Sequence, residues 1–245
     1  VNVTNVLAYT ARAYASNLRI ILFFSLSLII AFLIPLLAFF PTYNDMGAIF
    51  VRTASELLNL NAFTFSVIVL SVFFSLVFLS FAIVAINIIV KHGRTHVRIR
   101  KEVLEGLEKY TSRVFVVLLL FTLLLSIFNL AVYLLGLPAY VYYIITLLII
   151  PFFFYTPSSI VIDDLRIIRA MQMGTKFFFK RFDYFLLWLF ITIVALTFFD
   201  AIFLALSHTL ISSYAMLIFN AVFIVPFLVL LQSEMYMKRF AMLKR

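Results

Sequence analysis

The sequence predicts an all-α polytopic membrane protein: six transmembrane helices in three hairpins, with cytoplasmic interfacial helices and both termini cytoplasmic. Three observations carry that prediction. Hydrophobic residues make up 66% of the 245 residues and charged ones 12%, with a mean hydropathy of +1.19, against about 45–50% and about 25% in soluble domains. Apolar runs near the roughly 20 residues that a spanning helix requires recur at 20–40, 63–90, 114–136, 139–157, 184–206 and 211–232. The basic residues collect between alternate runs.

Those basic blocks orient the chain. Arg12 and Arg19 precede the first span, and Lys91, Arg94, Arg98, Arg100, Lys101, Lys109 and Arg113 follow the second. Arg166, Arg169, Lys176, Lys180 and Arg181 follow the fourth, and Lys238, Arg239, Lys244 and Arg245 close the chain. Among the basic residues only Arg52 falls on the other side. Loops rich in Lys and Arg stay in the cytoplasm, so both termini are expected there, with the chain as one domain of the cell membrane. The net charge of +9 is then topological. It implies anionic lipid headgroups at the cytoplasmic face as partners, and no nucleic acid. Cysteine is absent, which excludes disulfides and thiolate metal sites.

Each element follows in order. Residues 4–18 read as an interfacial helix leading into the first span, which contains Pro35. The outer loop PTYNDMGAIFVRTASELLNLN, 41–61, predicts a short surface helix at 47–58 with Arg52 and Glu56 one turn apart. In the second span Ser71 and Ser75 share a face, suiting close helix packing or a polar conduit, and Asn87 lies near its end. His92 and His96 are four apart, but HGRTH lacks the glutamate of the zincin pattern. No metal and no cofactor are expected. Residues 98–112 predict a second interfacial helix, before a third span that carries Asn129. Gly136-Leu137-Pro138 turns tightly into a short fourth span with Pro151.

The stretch IVIDDLRIIRAMQMGTKFFFKRF, 160–182, is the most informative. At helical periodicity over 160–174, Ile160, Val161, Leu165, Ile167, Ile168 and Met171 share one face, and Asp163, Arg166 and Arg169 the other. This predicts a third interfacial helix, apolar side down and arginines toward phosphate headgroups. Asp163 and Asp164 fall in its first turn, where the helix dipole favours acids. Asp164 nevertheless sits inside the apolar arc, where a carboxylate needs a partner or a proton. It is either a charge on a pathway or binding surface, or a cap or salt-bridge partner of a loop arginine. The fifth span carries Asp200 in its outer half, with His208 eight residues on, and the sixth carries Asn220 and Pro226. Asn87, Asn129 and Asn220 either bond helix to helix or line a binding path.

Surface helix, span, outer turn and span thus repeat three times. From Pro157, the run PSSIVIDDLRIIRAMQMGTKFFFKRF resembles the signature region of a loose superfamily of six-span membrane proteins. That superfamily includes the membrane domain attached to glycerophosphodiester phosphodiesterases, a bacterial group of uncharacterised proteins and related archaeal families. Pro157, Asp163 and Ala170 match its pattern, and Gly174 stands where serine is usual. The resemblance implies the six-span fold. It implies no phosphodiesterase activity, because that catalytic domain has no counterpart in these residues.

The sequence shows no nucleotide loop, no nucleophile with an adjacent base, and no carboxylate pair at facing helix ends. A non-enzymatic scaffold that binds lipid or another membrane protein is expected. The alternative is a small transporter or channel for a lipid-like or small solute, which would bring Asn87, Asn129, Asn220 and Asp200 to one cavity. A lipid-modifying enzyme would have to draw on Asp163, Asp164, His92 and His96.

Overall fold

A computed structural model describes residues 3–37, 42–45, 48–51, 62–92, 99–206 and 210–242. The helices are α1 (Val3–Ser16), α2 (Leu18–Leu37), α3 (Ala62–His92), α4 (Ile99–Leu134) and α5 (Ala139–Phe153). They continue as α6 (Thr156–Asp163), α7 (Ile167–Lys180), α8 (Phe182–Leu206), α9 (Leu210–Phe219) and α10 (Val225–Met242). A π-turn, Asn220–Ile224, joins the last two. Five segments are long and apolar enough to cross a membrane: Phe65–His92, Val103–Leu134, Ala139–Asp163, Phe182–Phe203 and Tyr214–Lys238. Helices α1 and α2 make a sixth if counted together, though they bend by 88°.

The bend sits at Asn17, which closes both helices. Its N–H and its Nδ2 both donate to Ala13 O, at 3.2 and 3.0 Å. Its own carbonyl accepts from the N–H groups of Ile20 and Ile21 at 3.0 Å. Helix α1 then packs along α10, with Val6 buried among Leu231, Met235 and Tyr236 and the Tyr14 ring 5.9 Å from Phe227.

Two expected helices are built differently. Residues 98–112 do not form a separate interfacial helix, because α4 runs unbroken from Ile99 to Leu134. Its sequence has no proline, and Gly106 alone costs only about 1 kcal/mol of helix propensity. In the outer loop, part of the helix expected at 47–58 is a strand. Thr42–Asp45 and Ala48–Val51 pair antiparallel, with Thr42 opposite Val51. β-branched and aromatic residues (Thr42, Tyr43, Ile49, Phe50, Val51) suit a pleated pair. Residues 52–61, His96 and His208 lie outside the described residues.

Helices α3 and α10 form the axis. Half of the last span is buried, against 11% for the spans in α4 and α8, which are therefore peripheral. In α3 every residue from Val84 to Val90 is buried, and a helix apolar on all sides must be surrounded. The surrounding side chains are Ile21 of α2, Val103 and Val114 of α4, Ile160 and Val161 of α6, and Leu230 of α10.

Helices α3 and α4 meet closely at Gly106. A Cβ there would lie 2.2 Å from Ile88 Cδ1 and 3.1 Å from Cγ1. Gly106→Ala should therefore lower thermal stability in detergent, an overpacking cost of about 1–3 kcal/mol being offset in part by about 1 kcal/mol of regained helix propensity. Adding Ile88→Val, which removes the clashing Cδ1, should recover part of that loss. Equal stability of Gly106→Ala and wild type would mean the contact is loose.

Candidate functional site

The polar groups gather where α6 ends. Pro157 stands in the first turn of α6, where a missing N–H costs nothing. Asp164 terminates the helix in the left-handed region, at φ 53° and ψ 43°, and is the only non-glycine residue with positive φ among the described ones. Aspartate tolerates that conformation better than most residues. The single helix expected over 160–174 is therefore two, with α7 starting at Ile167.

This break inverts the roles of the two aspartates. Asp163, placed by periodicity on the polar face, is half-buried and bonds Tyr236. Asp164, placed in the apolar arc, is exposed and ion-paired. Both stand at the C-terminal, negative end of α6, where acids are unfavourable and the last carbonyls lack donors. Cations and a phenol from three other helices offset this. Lys91 of α3 donates its ammonium to Val161 O at 2.7 Å and lies 5.3 Å from the Tyr110 ring centre. From α4, Lys109 pairs with Asp164 Oδ2, and Arg113 Nη1 is 3.5 Å from Oδ1. The Lys109 hydrogen bond holds the Asp164 carboxyl below its ordinary value of 3.8.

Beneath them lies a second, buried layer. The Tyr236 hydroxyl is 2.6 Å from Asp163 Oδ2 and 3.0 Å from Ser159 Oγ. A phenol has one proton to give, so it donates to the carboxylate and accepts from the serine. The Ser233 hydroxyl lies 2.8 Å from Asn87 Oδ1 and 3.4 Å from Ser158 Oγ, and Asn87 Nδ2 donates to Ile83 O. Ser158, Ser159, Ser233, Asn87 and Tyr236 are all 0–1% exposed. Ser159, Tyr236 and Asp163 thus form a hydroxyl-to-carboxylate chain whose serine no substrate reaches. The arrangement locks α3, α6 and α10 together.

Arg166, which precedes α7, and Arg169 on it are exposed. The opposite stripe of that helix, Ala170, Gly174, Phe177 and Phe178, is buried. At Gly174 a Cβ would lie 3.2 Å from Thr156 N and 3.3 Å from Thr156 Oγ1. A serine, usual in the superfamily pattern, would crowd that approach. Beside α7 runs a cleft of about 670 Å³, lined by Phe152, Ile168, Met171, Thr175 and Phe179, with Gln172 and Lys176 as its polar groups. Helical periodicity pointed to Ile168 and Met171. Phe179 was missed because α7 extends to Lys180, beyond the helix expected at 160–174, and Phe152 because it comes from α5, distant in sequence.

The remaining candidates do not share one cavity. Asn87 meets Ser233 at the end near Lys91. Asn129, half-buried, stands 20 positions beyond Lys109 on α4, roughly 30 Å along the axis. Asp200 of α8 meets Asn220 of the π-turn, with Nδ2 3.2 Å from Oδ1, and the two are 4% and 1% exposed. Ser71 bonds its own helix at Ile68 O, and Ser75 bonds α2 at Ala31 O, so these serines serve packing. Among the described residues no group of three His, Cys, Asp or Glu side chains could hold a metal. No family model, curated protein or solved structure matches the chain.

The two layers should respond differently to mutation. Tyr236→Phe leaves the half-buried Asp163 without its phenol and should cost about 1–3 kcal/mol. Asp164→Asn should shift the thermal midpoint less, because exposed ion pairs contribute little. The sign of its pH dependence follows from the lowered carboxyl. The Lys109–Asp164 contribution is fully present above 3.8 and is lost only as pH falls through the lower folded value. Thermal unfolding of both variants from neutral to acid pH checks this, and equal losses would contradict the division.

Proposed function

We propose that the chain is a non-enzymatic, multi-pass protein of the cell membrane that binds anionic lipid along α7. The end bearing Lys91, Lys109 and Arg113 faces the cytoplasm together with both termini, as the partition of basic residues supports. Membership of the six-span superfamily is part of the same proposal and rests on Pro157, Asp163 and Ala170.

One observation carries the lipid reading. Helix α7 is anchored through Ala170, Gly174, Phe177 and Phe178, yet leaves exposed Ile168 and Phe179 beside an apolar cleft. Arg169, Lys176 and Lys180 stand exposed on the same helix, and Arg166 just before it. An apolar channel for an acyl chain next to guanidinium and ammonium groups is the chemistry of a phospholipid with an anionic head. The inward-facing hydroxyls of Ser158, Ser159 and Tyr236 support a binding role over a catalytic one.

The test is purification in mild detergent followed by native mass spectrometry of retained lipid. Anionic phospholipid should be retained in preference to zwitterionic. The double variant Arg169→Gln, Lys176→Gln should bind it about 30-fold more weakly, at about 1 kcal/mol for each cation removed. Retention without headgroup preference would overturn the lipid proposal. A stoichiometric protein in place of lipid would make the chain a scaffold for another membrane protein.

A further inference from the structure

Helices α4 and α5 give a common measure of depth. The first enters the turn at 136–138 and the second leaves it. They run side by side as far as Phe121 and Phe153, whose ring centres are 5.1 Å apart. Phe121 is 13 positions from Leu134, and Phe153 is 14 from Ala139, so both lie about 20 Å along the helix from that turn. On α4 the surface beyond this level stays apolar, with Val116 and Leu120 exposed. No charge lies between the turn and Arg113, which stands eight positions past Phe121, roughly 12 Å further along the axis.

On the α7 side the charges lie lower. Helix α6 prolongs α5 into one span ending at Asp163, and α7 runs back along it in the opposite direction. Gly174 lies against Thr156, and the rings of Phe177 and Phe178 are 4.9 and 6.1 Å from those of Tyr155 and Phe154. Phe185 of α8 is 5.1 Å from Phe154. The exposed Lys176 and Lys180 therefore stand within about one turn, roughly 5 Å, of Phe153, and Lys176 lines the cleft with Phe152. Arg169 falls in the same narrow arc of α7 as these two lysines. Arg181 and Asp183 are paired at 2.8 Å at this level, and the Asp183 side chain is 60% exposed.

We infer that α7 and the first turn of α8 draw phospholipid headgroups roughly 10 Å deeper than they stand at α4, thinning the bilayer along α5. The inference rests on the membrane-spanning reading and on lipid contact at α7, and not on a preference for anionic headgroups. From Phe152 to Ala139 helix α5 offers about 20 Å of apolar length, against about 30 Å of hydrocarbon in a typical bilayer. A short apolar stretch is met by thinning of the bilayer or by snorkelling of the flanking residues. A lysine can lift its ammonium along its own stem. Asp183 cannot, because its carboxylate sits on a single methylene. An exposed carboxylate is costly in hydrocarbon and ordinary among headgroups. Lipid phosphates on Arg169, Lys176 and Lys180 place the acyl chains in the cleft, beside Phe152. From there Leu148 and Ile144, exposed at four-residue intervals, continue the apolar track to Tyr140, whose amphipathic ring suits the opposite interface.

Spin-label depth measurements in lipid vesicles test this. Because the chain has no native cysteine, a nitroxide can be attached singly through Phe152→Cys or Leu120→Cys. Both positions are exposed and flank the Phe121–Phe153 contact, Phe152 being the nearer to the turn at 136–138. The vesicles are dioleoylphosphatidylcholine alone, so a preference for anionic lipid plays no part and its failure would not touch this result. The label at 152 should collide with a water-soluble nickel chelate several-fold more often than the label at 120. Equal accessibility at the two positions, whether both wet or both dry, overturns the step. A third label, through Ile127→Cys on α4, should be dry, and a wet one would overturn the membrane-spanning reading itself. The double variant Lys176→Leu, Lys180→Leu should bring the label at 152 toward the dryness of the label at 120. The label at 120 should stay unchanged, which reports that the bundle still spans. A label at 152 that stays wet in that variant overturns the role of the two lysines.

Discussion

The C-terminus of an eight-residue helix organises one end of this molecule. Helix α6 stops at Asp164 with its last carbonyls open and two acids at the negative end of its dipole. In hydrocarbon or beside it, such an end cannot stand unattended. The Lys91 ammonium on Val161 O is the interaction that resolves it, because it caps a backbone carbonyl and supplies positive charge at once. To reach that carbonyl α3 must extend to this level, and the seven-residue buried run just before Lys91 is the result. Tyr110 beneath the ammonium brings in α4, and with it Lys109 and Arg113 for Asp164. Tyr236 brings in α10 for Asp163. Four helices are thus fixed relative to one another by the needs of one helix end.

The same break decides what α7 can do. Had residues 160–174 been one helix, its arginines and its apolar arc would have followed a single periodicity from Ile160. Ending α6 in a left-handed residue and restarting at Ile167 frees α7 to take its own orientation. The small residues Ala170 and Gly174 then let it lie close on Thr156, while Ile168, Met171 and Phe179 turn toward the cleft with Phe152. The cleft is a consequence of the turn and of the glycine, and neither lines it.

The sequence revealed the spans because apolar length is a local property. Five of them, and a sixth as a bent pair, are present as helices. It also pointed to the loop after Pro157 as the place where charge and packing meet. What it could not convey was phase. Asp164 has no glycine or proline beside it to announce a left-handed residue, so periodicity was carried straight through it and exchanged the environments of Asp163 and Asp164. The partners of these acids were equally hidden. Lys109 and Tyr236 are 55 and 73 residues away from them in sequence, and only the packing of α4 and α10 against α6 brings them near. Asp200 and Asn220 were visible as polar residues in apolar runs, but their pairing depends on the π-turn before Pro226.

The two polar centres differ in how many helices they join: α3, α4, α6 and α10 at one, α8 and the π-turn at the other. Around α6 each acid has found donors on other helices, and the buried serines and Asn87 are linked by hydroxyl hydrogens that point inward. A centre satisfied in this way resists change, since opening it strands several groups together. At Asp200 and Asn220 an amide hydrogen bond joins α8 to the π-turn. The span in α8, like that in α4, has only 11% of its residues buried. The polar cluster near Lys91 and the Asp200–Asn220 contact on α8 are two answers to one constraint, that polar groups in an apolar solvent must find partners.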